Sequence, residues 1–294
     1  MPYRHGGLSL SRMTQEHAGH RHHGDDEDAL ARMLDLDLEV LHEYWVDVLA
    51  WVRRNAPCGG RILDLGAGTG CGTIALAQRF ADAEVVAVDS SEAMLERLRT
   101  KAFDLGLAPR IRTVLADLDD AWPAVGTVDI TWASMSLHHL TEPDRVLRDV
   151  FGATRPGGVM AVVEMAEPIR FLPDDIGIGR PGLETRCLEA LAAEHTHDLP
   201  ELGSDWAPRL EKAGFTIVGE RTMAIDLNRP VSAAAGRYAH LWVDRLRSGL
   251  ADRLADDDRA ALGALLDGDG PLALRQRSDL WIRGTRPVTL ARRP

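Results

Sequence analysis

Cysteine is scarce in this chain. Only Cys58, Cys71 and Cys187 occur in 294 residues, and an odd, widely spaced trio supplies neither a disulfide framework nor a close-set thiolate zinc site. Long apolar runs are missing too. No stretch approaches the roughly eighteen consecutive apolar residues that a membrane-spanning helix needs, and the first thirty positions lack a secretion-type apolar segment. A cytoplasmic protein without membrane contact is the expectation. Positive charge is in deficit, 34 basic against 45 acidic residues and a net charge of -11, so a polyanion would meet a repulsive field. No segment joins clustered Lys/Arg to stacking aromatics, and Arg53–Arg54 and Arg292–Arg293 read as solvated pairs. Nucleic acid is therefore not an expected partner.

What is present suffices for a large core, since 45% of the residues are hydrophobic. Residues 1–26 read as a flexible tail carrying His5, His17, His20, His22 and His23, then Asp25 and Asp26. Imidazoles and carboxylates suit a metal, but no scaffold fixes their geometry, so a polar tail is the reading and no metal site is assigned. Residues 27–59 form an N-terminal helical segment. Leu30, Met33, Leu34, Leu38, Leu41, Trp45, Val48, Leu49 and Val52 recur at spacings of three and four over 27–54, the stripe of one long helix or two short ones. His42, Glu43 and Tyr44 interrupt it, either lining a pocket or belonging to a helix packed on a sheet.

Strand and helix signals then alternate. Strands are predicted at 61–65, 84–88, 111–116, 128–133 and 159–165, the last entered through a turn at Pro156-Gly157-Gly158. Helices are predicted at about 71–80, 91–105 and 143–153. Such alternation implies a doubly wound α/β fold with a parallel sheet covered on both faces, and ligands bind such sheets beyond the strands' carboxyl ends. Further helices are predicted at 183–193, 206–213, 231–248 and 256–266, with strands at 215–227 and 283–291 closing the sheet as an antiparallel pair around a helical insertion. Segments 166–205 and 228–275 are candidate cap insertions within a domain spanning 60–294; Trp206, Leu210 and Trp242 could accommodate an apolar or aromatic metabolite.

Asp64-Leu65-Gly66-Ala67-Gly68-Thr69-Gly70 joins a strand to a helix. Its alternating glycines permit a tight turn and close backbone approach to a ligand. A GxGxxG dinucleotide pattern would want glycine or alanine at Cys71 or Thr73, and no GxxxxGK[ST] phosphate loop occurs. Asp89, closing the second strand, can accept from both hydroxyls of an adenosine ribose. Asp64 would repel a pyrophosphate but suits an ammonium group.

These segments resemble the first two motifs of class I S-adenosylmethionine-dependent methyltransferases. The resemblance extends through Ser91-Glu92-Ala93-Met94-Leu95, Asp117-Leu118, Val128–Ser134 and Arg155-Pro156-Gly157-Gly158, and Leu137-His138-His139-Leu140 with Pro143 is similar to small-molecule enzymes of the ubiquinone/menaquinone-biosynthesis type. It covers about residues 60–165 and implies a Rossmann-like seven-stranded methyltransferase sheet with helical cap insertions. The implied cofactor is S-adenosyl-L-methionine, leaving as S-adenosyl-L-homocysteine. The implied cofactor-binding residues are Asp64, Gly66, Ala67, Gly68 and Gly70 at the amino-acid end, Asp89 and Ser90 at the ribose, Met94, Asp117 and Leu118 around adenine, and Ala133 and Ser134 beside the methionine portion. The NPPY or NPPF motif of some members is absent, which further disfavours nucleic acid.

The expected reaction is in-line methyl transfer to a small-molecule metabolite, in which the protein aligns the reactants and excludes water. Where the acceptor must lose a proton, histidine is the natural base. His138 and His139 follow the fourth strand and are the candidates, packing or cofactor-side hydrogen bonding being the alternative. Glu164, closing the fifth strand, would orient a substrate donor or form a buried salt bridge. His195 and His197 lie in the first cap, and Arg237, Tyr238 and His240 are further pocket candidates. A methyltransferase-fold enzyme using the cofactor for another reaction, a noncatalytic cofactor-binding protein and an NAD-dependent oxidoreductase are the competing classes, the last disfavoured by the glycine spacing. A homodimer is a common assembly of such enzymes.

Overall fold

The computed structural model describes residues 23–57, 60–165, 167–227, 232–267 and 270–294. Most of the histidine-rich tail, Cys58, and the side chains of His23, Asp25, Asp26, His195 and His197 lie outside the described residues. Two helices come first, α1 (His23–Val40) and α2 (His42–Asn55). The first begins four residues before the sequence boundary at 27, because the acidic stretch continues the helix N-terminally rather than ending it.

The sheet strands are β1 (Gly60–Leu65), β2 (Ala83–Asp89), β3 (Ile111–Leu115), β4 (Val128–Ser134), β5 (Thr154–Val163), β6 (Thr216–Leu227) and β7 (Ile282–Arg292). Between them run α3 (Cys71–Arg79), α4 (Glu92–Asp104), α5 (Pro143–Ala153), α6 (Leu183–Asp198), α7 (Trp206–Ala213), α8 (Ala233–Gly249) and α9 (Asp256–Asp267). Their order in the seven-stranded sheet is β3-β2-β1-β4-β5-β7-β6. β3 through β5 are parallel, and β7 pairs antiparallel with both β5 and β6. The doubly wound sheet anticipated from the alternation is therefore present. β5 starts earlier than its sequence signal: Thr154 pairs with Val128 across an irregularity, so Pro156-Gly157-Gly158 falls inside the strand rather than before it.

The largely apolar runs of β1, β2 and β4 follow from burial on both faces. One face packs Ile62, Val85, Trp132 and Val159 against Trp45, Val48 and Val52 of α2 and Leu76 of α3. The opposite face packs Val86, Val88 and Met160 against Val146 and Leu147 of α5 and Trp206 and Leu210 of α7. Phe171, Tyr238, Val243, Leu262 and Leu265, from the expected caps, belong to the first of these cores, so the insertions extend the core over the top of the sheet. Trp206 and Leu210 face the other way, against Phe215. They do not serve the cap, because α7 crosses beneath the hairpin on the α5 side.

Helix ends follow local chemistry. Ser91 caps α4 by accepting from the Met94 N–H, and Asp205 caps α7 by accepting from Ala207. Gly214 stops α7 in the left-handed region at φ 110°, a conformation that L side chains disfavour.

One buried ion pair ties the additions to the sheet. Asp37 of α1 accepts from Arg286 of β7 at 2.7 and 3.2 Å, from Trp45 Nε1 of α2 at 3.1 Å and from the Tyr238 hydroxyl of α8 at 3.1 Å. A buried carboxylate without donors is strongly unfavourable, and a pair robbed of one partner loses more than the pair contributes. Replacing Arg286 with Met is therefore expected to cost about 3–5 kcal/mol in urea unfolding, and an Asp37→Asn/Arg286→Met double variant to recover part of the loss.

Candidate functional site

The carboxyl ends of β1, β2, β4 and β5 form one edge, and the sequence-predicted residues gather along it. After β1 the chain folds back, and the Gly66 and Ala67 N–H groups donate to the Val88 carbonyl at 2.9 and 3.0 Å. Gly66 takes φ 66°, and a Cβ there would lie 2.4 Å from Ser136 Cβ, so glycine is required for both conformation and space. Above Gly68 a Cβ would meet only Leu34, at 3.4 Å.

Asp89 is the hub of this end. One carboxylate oxygen accepts from Gly68 N–H at 2.7 Å and the other from Ser91 N–H at 2.9 Å. Each oxygen retains a further lone pair, which fits a ribose diol. Burial raises its pKa, opposed by the backbone N–H groups of Ser91, Gly68 and Ser90. Ser90 is exposed, whereas Met94 is buried on the first turn of α4. Asp117 is exposed and accepts from Asp119 N–H, and Leu118 is buried in the α5-side core. Asp119 receives the Thr141 and Glu142 N–H groups and the Thr141 hydroxyl, fixing the loop that enters α5. Ala133 points into the α5-side core, so only its backbone is available to a ligand; Ser134 is half-buried.

Asp64 is buried beneath the loop and accepts from the Thr73 hydroxyl at 2.6 Å. Burial pushes its carboxyl up to about 7, opposed by the Thr73 bond and reinforced by the negative Asp89.

At the neighbouring strand ends, Glu164 takes three donors. Its Oε1 accepts from Ser136 N–H at 3.2 Å and Leu137 N–H at 2.9 Å, and its Oε2 lies against His138 Nδ1. A carboxylate already engaged as an acceptor places the imidazole proton on Nδ1 and leaves the lone pair on Nε2. Among the described residues no hydrogen bond reaches that Nε2. His138 is 4% exposed, whereas His139 is exposed, its ring 4.1 Å from that of His138. The structure thus brings His138 and Glu164 together and sets His139 outside them.

Ser136, which carried no sequence signal, joins the two halves of the edge. Its hydroxyl donates to the Leu65 carbonyl at 2.8 Å while its N–H reaches Glu164. The preceding Met135 adopts φ 58°, with its N–H bonded to the Val163 carbonyl. A non-glycine residue in this region costs on the order of 1–3 kcal/mol, and here it turns Ser136 back toward β1.

Helix α1 lies across the loop. The Leu34 carbonyl accepts from the Cys71 thiol at 2.9 Å, Lys101 joins Asp35 to the Thr69 carbonyl, and Glu27 accepts from the Ser91 hydroxyl at 2.6 Å. Of the cap candidates, Tyr238 is buried on Asp37, Arg237 is exposed at 3.8 Å from Glu39, and His240 stands beside Arg275. Of the α2 candidates, His42 and Glu43 face solvent and Tyr44 is buried. Asp37 and Arg286 escaped the sequence reading, although each left a signal. Asp37 falls on the apolar stripe between Leu34 and Leu41, and Arg286 takes an inward place in the alternation with Ile282, Val288 and Leu290. Among the described residues no group of three His, Cys, Asp or Glu side chains has a metal-holding arrangement, and no helix is long and apolar enough to cross a membrane.

Asp64 gives a pH-dependent expectation. Its folded pKa of about 7 lies above the ordinary 3.8, so the folded form binds its proton more tightly and stability falls as pH rises between those values. Asp64→Asn is expected to remove that decline, gaining on the order of a few kcal/mol over wild type above pH 7 and little at pH 4, as read from urea melts across the range.

Residues 62–158 match the family described as a methyltransferase domain. The chain is 38% identical over 116 residues to the trans-aconitate 2-methyltransferase of Methylobacterium radiotolerans, covering 40% of this chain and 41% of that protein. It is 31% identical over 122 residues to the ubiquinone/menaquinone biosynthesis C-methyltransferase of Idiomarina loihiensis, covering 40% and 49%. The chain spans under half the length of these curated relatives. A solved structure from Bacillus halodurans C-125, whose assignment as a methyltransferase is itself provisional, shares the fold at TM-score 0.53 and 19% identity, covering 84% of this chain and 98% of that one. With the glycine loop and the strand order, these matches identify residues 62–158 as similar to a methyltransferase domain on a seven-stranded sheet of that fold.

Proposed function

We propose that this protein transfers a methyl group from S-adenosylmethionine to a small-molecule acceptor by direct in-line attack, and that the acceptor carries a proton which His138 removes. The observation that carries this reading is the shared edge. Asp89 and the glycine loop stand at one end of it, the His138–Glu164 pair at the other, and Ser136 is bonded to both.

The residues present fit the cofactor. Gly66, Gly68 and Gly70, with Asp64 beneath them, would hold its amino-acid end, Asp89 its ribose, and Met94 and Leu118 its adenine. Bound there, S-adenosylmethionine supplies an electrophilic methyl on a sulfonium. Glu164 holds the His138 ring with its Nε2 lone pair available, and that nitrogen takes the acceptor's proton as the acceptor's own electron pair forms the new bond. Burial of the pair excludes competing water. A carboxylate acceptor, already deprotonated, would need no such base, so the dyad favours a hydroxyl or an activated C–H acid. The segments 166–205 and 228–275, whose described residues Phe171, Tyr238 and Leu262 join the α2-side core, are the proposed acceptor-side elements.

Calorimetric titration with S-adenosylhomocysteine tests the first half. Tight binding is expected in wild type and in His138→Gln, with Asp89→Ala losing it. Transfer of labelled methyl to a panel of small phenols, hydroxy acids and carboxylic acids tests the second. His138→Gln is expected to lose about 10²–10⁴-fold in rate, and Glu164→Gln to lose a smaller factor. Folded protein that binds no S-adenosylhomocysteine would contradict the proposal.

A further inference from the structure

Beyond the end of β5, the chain at 170–174, the first turn of α6 and the start of β7 enclose a recess of about 220 Å³, open on one side. Arg170, Arg283, Thr185, Glu184 and Asp174 line it, with Leu172. It is smaller than the roughly 300–1,000 Å³ of a pocket that takes in a whole metabolite, and it has the size and polarity for a head group.

Two of these residues are paired against electrostatic preference. Arg170 and Arg283 face one another across an antiparallel bridge, the Arg170 N–H donating to the Arg283 carbonyl at 2.8 Å and the Arg283 N–H to the Arg170 carbonyl at 3.0 Å. Residues opposed in this way share a face, and like charges there repel. Glu184 answers them only in part. Its oxygens accept from the Phe171 and Leu172 N–H groups at 2.7 and 3.2 Å, and it comes no closer than 3.9 Å to Arg283. Asp174 is exposed on the rim, where water and salt screen its charge. Arg283 is anchored, its terminal nitrogens donating to the Trp281 and Leu172 carbonyls at 3.2 and 3.0 Å. Arg170 is less engaged. One terminal nitrogen donates to the Thr185 hydroxyl at 3.0 Å, and among the described residues its guanidinium forms no ion pair, so most of its five-donor fork is uncommitted.

The recess lies on the same face as the His138–Glu164 pair. Val163 is paired with Val288, so Glu164 stands opposite Pro287, and its N–H reaches that carbonyl at 3.1 Å. Side chains alternate along a strand, so Pro287, Thr285 and Arg283 project from the face that Glu164 shares, and the four residues from Arg283 to Pro287 span about 13 Å. Pro287 and Thr285, both exposed, occupy the interval between the pair and the two guanidiniums.

We propose that this recess binds a carboxylate of the methyl acceptor, with Arg170 as its main donor and Arg283 beside it. The acceptor is then an anion whose methyl-accepting hydroxyl or C–H acid lies roughly the length of a substituted ring from that carboxylate. This rests on the methyltransferase reading above and assigns specificity to a residue beyond the matched domain.

The test uses the full chain saturated with S-adenosylhomocysteine in neutral buffer. Calorimetry compares para-hydroxycinnamate, a phenol with a distal carboxylate, with its uncharged carboxamide. Wild type is expected to bind the acid about tenfold tighter than the amide. Arg170→Gln is expected to erase that preference, weakening the acid about tenfold and leaving the amide unchanged, and Arg170→Lys to retain part of it. The melting temperature and the affinity for S-adenosylhomocysteine are expected to be the same in all three proteins. Equal binding of acid and amide by wild type, failure to bind the acid, or a preference that survives in Arg170→Gln overturns the proposal and leaves the methyltransferase reading intact. An Arg170→Gln protein that melts early and loses acid and amide alike would show Arg170 to be structural, and overturns it too. Failure to bind S-adenosylhomocysteine overturns both readings.

Discussion

A carboxylate enclosed among apolar side chains must be given donors, and Asp37 draws its own from three other elements. Trp45 comes from α2, Tyr238 from α8 and Arg286 from β7. The partners at the far end lie 249 residues away along the chain. Packing alone would let an amphipathic helix slide or rotate over a sheet, since apolar contacts are non-directional. Four directed bonds on one carboxylate remove that freedom. α1 is thereby held where its Leu34 carbonyl meets Cys71 and its Asp35 meets Lys101 beside the glycine loop, and α8 is held against α1. Buried pairs of this kind add little net stability; the contribution proposed for this one is orientation.

The edge itself follows a simpler logic. Parallel strands bring their carboxyl ends to one side, so loops that are distant in sequence converge there. The junction is then made by backbone groups as much as by side chains. Glu164 collects two N–H groups from the turn after β4, and Ser136 returns a hydroxyl to the end of β1. The left-handed Met135 between β4 and Ser136 is the strained element that makes the return geometrically possible. Strain concentrated at such a place, and offset by the surrounding sheet, is characteristic of functional sites.

Much of this was legible in the sequence because it is local. The glycine loop, Asp89 and the Ser91 cap are encoded within a few consecutive residues, and every strand of the sheet announced itself by composition. Where tertiary pairing overrides local preference the reading failed, as at Pro156-Gly157-Gly158, which sits within β5 because Thr154 finds Val128. Trp206 shows a second limit. An apolar residue on a helix predicts burial but not which face of the sheet receives it, and α7 turned out to serve the α5 side. The pairing of His138 with Glu164 needed the sheet order as well as the motifs. Asp37 and Arg286 needed more, since each looks like an isolated exception to an apolar pattern until the other is placed beside it.

The hairpin of β6 and β7 runs on past the end of β5. Residues 222–227 pair with 282–287 after β7 has left its partner, apart from one bridge between Arg170 and Arg283. A two-stranded ribbon twists more freely than a wide sheet, and this one carries Arg286 and is the stem from which α8 and α9 spring. The molecule is thus divided in its architecture. A parallel slab bears the glycine loop and Asp89, and a two-stranded stalk, clamped to α1 through Arg286 and Asp37, bears α8 and α9. Insertions or substitutions in the stalk can reshape one side of the cleft while the slab keeps its register. A scaffold built this way keeps the residues that form the roof apart from those that shape the glycine loop.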